Sequence, residues 1–474
     1  MKPRAAAGWI AVLLGAAALL NLALALVQIP SPADTSMPES AIVFGARQVM
    51  EGGALYADYH RAPFIIAPYT PLYYAWTGLA GRLLGAPPEG LFAVGRWTSF
   101  IALALSAVLL SAGARRNGAG GRAPWLIPAA FLAPAFVLSW AATARPDTPG
   151  LLFALAGILL WLKFEERPWR FLAIVLFLLA FLTKQSFLAA PGALLLYLAV
   201  KKRKADSLMV GGLFAGGVAA ALLLLHSATG GLSTLNILGS NLVPLSLDNL
   251  RLVGGRFLQA AAFPLLLGLA GLNRERLKSL PFLYFAVSLL WGFYACLKLG
   301  SDLNYFLEPL AAVCLLIPFT LETMEKEQGS RLSAVLLLAC VIWAVPQINY
   351  RANALETRQV ADEGRVRALV SEFDGLVVTD SPRLAYLSRS PFLIDPYQFA
   401  SLQTAGKWDP GPLLKMLEEG QVGLAVLRSP PESPATWQGQ PRLPKGVAEI
   451  IQRNFARTGT LDGFLLYRFQ PDQP

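Results

Sequence analysis

Apolar runs of about 17 to 25 residues recur from the N-terminus to residue 348, and each is long enough to cross a hydrocarbon core of roughly 30 Å as a helix. Eleven such spans are read, at 8–28, 91–112, 124–142, 148–164, 169–184, 186–200, 208–226, 253–272, 279–297, 304–321 and 332–348. Only 15% of the 474 residues are charged against 55% hydrophobic, which excludes a water-soluble protein and implies an integral membrane one. The net charge of +10 comes from short Lys and Arg clusters between the runs, where they orient helices, so nucleic acid is not an expected partner. Cys296, Cys314 and Cys340 lie in or beside spans, so neither a disulfide framework nor thiol chemistry is expected.

Counting loops sets the orientation. With the N-terminus cytoplasmic, the inner loops are 115–122, 163–170, 201–204, 274–278 and 322–331, and each carries at least two cations. Segments 29–90, 145–147, 183–186, 227–251 and 298–304 then lie outside, with the C-terminal tail. Segment 71–86 is read as an interfacial helix with Tyr73, Tyr74 and Trp76 at headgroup level, because a crossing there would invert every later loop. The basic start Lys2 to Arg4 has no small-residue cleavage site before Pro30 to Pro38, so the first span is expected to stay as an anchor in the cell's inner (plasma) membrane.

After Asn349 charge rises and strand-like runs alternate with helical ones, dividing the chain into a transmembrane domain, residues 1–349, and a soluble α/β domain, residues 350–474. Leu376 to Thr379, Phe392 to Ile394, Val422 to Leu427 and Phe464 to Phe469 read as strands, and Pro412 to Glu419 and Val447 to Phe455 as helices. The second domain shows neither a glycine-rich phosphate loop nor metal-ligand spacing, and Asp380 and Asp395 are read as turn formers. The expected fold is an all-α polytopic membrane bundle with a small C-terminal α/β extracytoplasmic domain.

The long first loop is polar and aromatic. It holds Glu39, then Gly53 to Asp58 with the pattern G-x-x-L-Y-x-D, then the cluster Pro68 to Tyr74. Arg145-Pro146-Asp147 opens the fourth span, Thr183 to Ser186 joins the fifth and sixth, and Gly300-Ser301 with Asn304 to Glu308 precedes the tenth. Together these resemble the GT-C class of polytopic glycosyltransferases, which includes protein O-mannosyltransferases and the aminoarabinose transferase. The resemblance covers about 1–350. It departs where the class shows adjacent acids, since here Pro38-Glu39 follows Asp34 at a distance, and Tyr69 and Thr70 stand where relatives carry an acid.

The resemblance implies transfer of a sugar from a polyprenyl phosphate to an acceptor at the outer face, by a single inverting displacement. A carboxylate takes the acceptor's proton and cations neutralise the departing phosphate. Glu39 is the expected base and Asp58 a second catalytic acid. Asp58 and His60 would orient the acceptor or hold a divalent metal, a cofactor the sequence leaves open. Arg145 and Lys184 would grip the phosphate, with Asp147 steadying Arg145, and Lys298 is a weaker candidate. Tyr69, Asn304 and Tyr305 are expected at the substrate, while Glu308 would pair with Lys298 or Arg256, and His226 is read as structural without a visible partner. The acceptor is open among glycan, lipid and protein. Two other readings use the same groups: a transporter or flippase of a lipid-linked saccharide, and an inactive relative. Transporters place charges or broken helices near mid-membrane, whereas polar residues here gather at span ends.

Overall fold

A computed structural model describes residues 3–31, 39–116, 123–325, 329–356, 363–387, 393–433, 436–437 and 440–470. Helices lie in the expected apolar runs, but not all eleven are long enough to cross a membrane. They are α1 Pro3–Gln28, α2 Glu39–Glu51, α3 Leu72–Leu83, α4 Gly90–Arg116, α5 Ala123–Leu132, α6 Ala135–Ala141, α7 Asp147–Lys163, α8 Leu172–Thr183, α9 Ala189–Val200, α10 Lys204–Ala228 and α11 Leu232–Ile237. They continue through α12 Leu247–Ala260, α13 Ala262–Leu269, α14 Leu280–Cys296, α15 Leu307–Cys314, α16 Ile317–Met324 and α17 Gly329–Glu356. Among the described residues five helices are long and apolar enough to cross a membrane, or seven if each of two bent pairs counts as one span. Pro168–Thr183, Ala189–Val200 and Leu280–Cys296 are apolar but shorter. The chain is a multi-pass membrane protein, and its lipid-facing helices leave large apolar side chains such as Leu19, Val108, Leu224 and Ile342 exposed.

One break in the bundle positions the site. Pro134 ends α5, and α6 leaves at 79° to it. Carbonyls freed inside a membrane need donors from neighbouring helices, since lipid supplies none. Asn21 of α1 donates from Nδ2 to the Leu132 oxygen at 2.7 Å, Arg351 of α17 donates to the Ala133 oxygen at 2.6 Å, and Gln347 accepts from the Ala135 N–H at 2.9 Å. Beyond the bend, residues 142–146 connect α6 to α7.

Beyond α17 the chain forms α18 Gly364–Glu372, β1 Leu376–Thr379, α19 Pro382–Leu387, α20 Pro396–Thr404, α21 Gly411–Glu418, β2 Val422–Leu427, the short pair β3 Thr436–Trp437 and β4 Gln440–Pro441, α22 Val447–Asn454, β5 Phe455–Leu461 and β6 Phe464–Phe469. The four-stranded sheet has the order β1-β2-β6-β5, with β1 parallel to β2 and the other pairs antiparallel. The expected strands at 376–379, 422–427 and 464–469 are present, and β5 is an additional one. Of Phe392 to Ile394, Phe392 lies outside the described residues and Ile394 forms an isolated parallel bridge with Phe64 of the first loop.

That bridge belongs to a wider seam. The Phe64 N–H donates to the Leu393 oxygen at 2.7 Å, and Tyr386 donates to the Pro88 oxygen at 2.8 Å. Tyr59 and Phe64 pack edge-on against Phe399 and Trp408, with ring centroids 5.6 to 6.2 Å apart. The first loop is thereby held between the bundle and the C-terminal lobe. In α3, Tyr73 and Tyr74 are buried and Trp76 is exposed, so only the tryptophan can serve the interfacial role expected of all three.

Candidate active site

The Glu39 side chain is wholly buried at the start of α2. Its two oxygens accept from Arg96 Nε and Nη2, both at 2.8 Å, and Oε1 also accepts from the Ala144 N–H at 2.7 Å. Arg96 reaches further, donating to the Ser31 oxygen at 2.6 Å beyond the end of α1. This pair ties α1, α2 and α4 to the residue just before Arg145. On the other side Ser99 donates to the Arg145 carbonyl at 3.0 Å, and Thr148 donates back to the Ser99 carbonyl at 2.8 Å. The position of Arg145 is therefore fixed from both flanks.

At the opening of α7, Asp147 gathers three donors. Lys184 Nζ lies 2.6 Å and Asn304 Nδ2 2.7 Å from Oδ1, while Arg145 Nε lies 3.2 Å from Oδ2. Arg145 Nη2 donates to the Tyr69 hydroxyl at 2.8 Å, and its guanidinium sits over the Trp140 ring. Lys184 lies behind two tyrosines, 5.2 Å from the Tyr69 ring centroid and 4.5 Å from that of Tyr305. Chain segments more than a hundred residues apart thus converge on one carboxylate. Arg145, Lys184, Asp147, Tyr69, Asn304 and Tyr305 all meet here.

Four of these residues, without Asp147 and Lys184, line a cavity of about 180 Å³ between the bundle and the C-terminal lobe. Arg145, Tyr69, Asn304 and Tyr305 face it, and Lys298 and Asp302 join them from the 298–304 loop. Lys298 has no ion pair among the described residues; its ammonium approaches the Tyr305 ring at 5.8 Å, and burial holds its pKa below the ordinary lysine value. Among the described residues Asp302 is the one carboxylate on the lining. Its Oδ1 accepts from the Leu303 N–H at 2.7 Å, capping a short 3-10 turn.

Not every expected site residue arrives. Glu39 is absent from the cavity lining, and both of its oxygens are engaged by the Arg96 guanidinium. Asp58 closes a turn instead, accepting from the His60 N–H at 3.1 Å and pairing loosely with the exposed Arg61. His60 is exposed, and its ring leans on Tyr59. Asp34 lies outside the described residues. Glu308 is buried and makes no ion pair with Lys298 or Arg256 among the described residues. His226 does have a partner, the Thr234 hydroxyl at 2.8 Å from Nδ1. Among the described residues no three His, Cys, Asp or Glu side chains cluster as metal ligands. Asp302 is not legible in the sequence because an acid between Ser301 and Leu303 carries no motif; the preceding Gly300, in the left-handed region at φ +80°, is its one signal.

A second cavity, of about 690 Å³ and almost wholly apolar, lies between α3, α4, α7 and α8. Trp76, Trp97, Ile101, Leu105 and Phe153 line it, with Pro149 and Thr183 at the end nearest Asp147 and Lys184.

No protein-family model matches the chain, and no curated protein is similar to it in sequence. Among solved structures, ArnT from Cupriavidus metallidurans bound to undecaprenyl phosphate is similar over 95% of this chain and 97% of its own, with TM-score 0.59 at 14% identity. The oligosaccharyltransferase of Archaeoglobus fulgidus tethered with an acceptor peptide is similar over 98% of this chain and 74% of its own, with TM-score 0.54 at 12% identity. AglB of the same organism, in complex with an inhibitory peptide and a dolichol-phosphate, has TM-score 0.52 at 12% identity, over 88% of this chain and 69% of its own. The chain has the GT-C fold. Within that fold, the polar cavity sits where the first loop, the mouth of the bundle and the C-terminal lobe meet, and the apolar groove opens from the bundle's side toward the same cluster.

Proposed function

We propose that the chain is a membrane glycosyltransferase that moves a sugar from a polyprenyl-phosphate donor to an acceptor at the outer face of the inner membrane. The observation that carries this reading is the pairing of a cationic pocket, Arg145 and Lys298 with Tyr69 and Asn304, with a long apolar groove ending beside Asp147 and Lys184. A lipid phosphate needs both: cations for the headgroup and a dry channel for the tail. Likeness to proteins solved with undecaprenyl phosphate and dolichol-phosphate supports it. The transmembrane domain, residues 1–349, then binds the lipid, the lobe 350–474 covers the headgroup, and the ion-paired cluster of Glu165, Arg170, Arg203 and Asp206 marks the cytoplasmic end.

In this reading the base is Asp302 in place of Glu39. Its carboxylate takes the proton of the acceptor hydroxyl or amine as that atom attacks the anomeric carbon. The bond from that carbon to the phosphate oxygen breaks, and its electron pair stays on the phosphate, where Arg145 and Lys298 stabilise the added charge. One displacement inverts the anomeric centre. Glu39 and Arg96 hold the loop that presents Arg145, and Asp147 fixes Arg145, Lys184 and Asn304 relative to one another.

The test is transfer of labelled sugar from a panel of undecaprenyl-phosphate sugars in purified membranes. Asp302→Asn is expected to lower the rate by about 10² or more with the protein still folded. An Asp302→Asn rate equal to the native one would remove Asp302 from the reaction.

A further inference from the structure

Helix α20 of the C-terminal lobe forms part of the wall of the polar cavity. Tyr397, Gln398, Ser401 and Leu402 face the cavity, one stripe of a helix at i, i+1, i+4 and i+5. The opposite stripe is bolted down: Phe399 is fully buried and packs 4.8 Å from Trp408, and Tyr59 and Phe64 of the first loop close over it. Asp395 caps the helix by accepting from the Gln398 N–H at 3.3 Å, and Pro396 occupies its first turn. Tyr397 and Gln398 thus line the cavity from a rigid support.

Both present polar atoms with nothing to bond. The Tyr397 hydroxyl and the Gln398 Oε1 are shielded from solvent, and neither has a hydrogen-bond partner among the described residues. Tyr397 is only 9% exposed. A buried polar group left unsatisfied costs free energy that a bound partner would recover. Burial pushes the Tyr397 phenol up to about 12, so it keeps its proton and can donate. Its hydroxyl lies close over Gly300, where a Cβ would approach to 3.2 Å, so the glycine leaves room beside the Asp302 loop.

We propose that Tyr397 and Gln398 read the hydroxyls of the donor sugar, making the C-terminal lobe a wall of the donor site. The inference rests on the phosphate assignment above and goes beyond it. The cavity is lined by Arg145, Lys298 and α20 alike, so a sugar attached to a phosphate at those cations would share it with Tyr397 and Gln398. On that lining a hydrogen-bond donor (Tyr397) and an acceptor (Gln398) wait for the ring's hydroxyl groups.

The test is binding to the purified full chain in lipid nanodiscs, comparing bare undecaprenyl phosphate with undecaprenyl phosphate carrying glucose, mannose, N-acetylglucosamine or aminoarabinose. The native chain is expected to bind at least one glycosylated lipid more tightly than the bare one. Tyr397→Phe and Gln398→Ala should each reduce that preference by about tenfold, with affinity for the bare lipid unchanged, which also reports that the variants are folded. The proposal is overturned if the variants keep the native preference, or if no sugar adds affinity to the native chain. Failure of the native chain to bind the bare lipid would instead overturn the phosphate reading beneath it, and this proposal with it.

Discussion

Glu39 and Arg96 form a bidentate ion pair with both side chains fully buried, and its free edge holds the Ala144 N–H. The acid that the resemblance places first in the reaction is here buried in an ion pair and is not on the lining of the polar cavity. Breaking a buried pair from one side leaves the other charge uncompensated, at a cost of about 3–5 kcal/mol. Glu39→Gln is therefore expected to lower the unfolding temperature in detergent sharply. A base would add a rate loss of about 10² beyond what that lost stability explains.

The bend between α5 and α6 depends on donors from α1 and α17. Asn21→Leu keeps the side-chain size and strands the Leu132 carbonyl in the membrane. A loss of about 1–3 kcal/mol is expected, read as a lower denaturation midpoint, together with weaker lipid binding as residues 142–146 lose their anchor. Unchanged stability would mean that Arg351 and Gln347 hold the break alone.

Burial depresses the Lys298 pKa, so its charge is complete at low pH and disappears as pH rises through a value below that of ordinary lysine. The second ionisation of a lipid monophosphate, near pH 6, is already over in that window. Affinity for undecaprenyl phosphate should therefore decline as pH rises through that value, and Lys298→Arg, which stays charged, should abolish the decline. Identical pH profiles for the two proteins would exclude Lys298 from the headgroup site.

The apolar groove makes a separate prediction. Ala102→Trp fills it from α4 without touching the polar cavity. The KM for a long-chain donor should rise about tenfold or more, while a donor with a short, water-soluble tail should be used as before. Equal effects on both donors would place the tail elsewhere.

Where one helix or one turn decides, the sequence is legible. The helical nature of the apolar runs, the strands at 376–379, 422–427 and 464–469, and the attachment of Asp147 to Arg145 two residues away all follow from local pattern, whereas the number of crossings does not. Roles set by distant partners are not. Nothing near Glu39 announces Arg96, and nothing near Asp147 announces that Lys184 and Asn304 meet on it. Asp58 and His60 look like a ligand pair in sequence, but they form a turn whose neighbour Tyr59 packs on the C-terminal lobe. β5 stays hidden because its exposed residues, Arg457 to Thr460, carry no apolar alternation.

The central claim is that Arg145 and its neighbours hold a lipid phosphate. The most direct measurement is titration of the purified protein with undecaprenyl phosphate and with undecaprenol, which has the same tail and no phosphate, in the native chain and in Arg145→Gln. The account predicts that the native chain prefers the phosphate by about a hundredfold and that Arg145→Gln loses most of that preference. Equal binding of the two lipids by the native chain would contradict it.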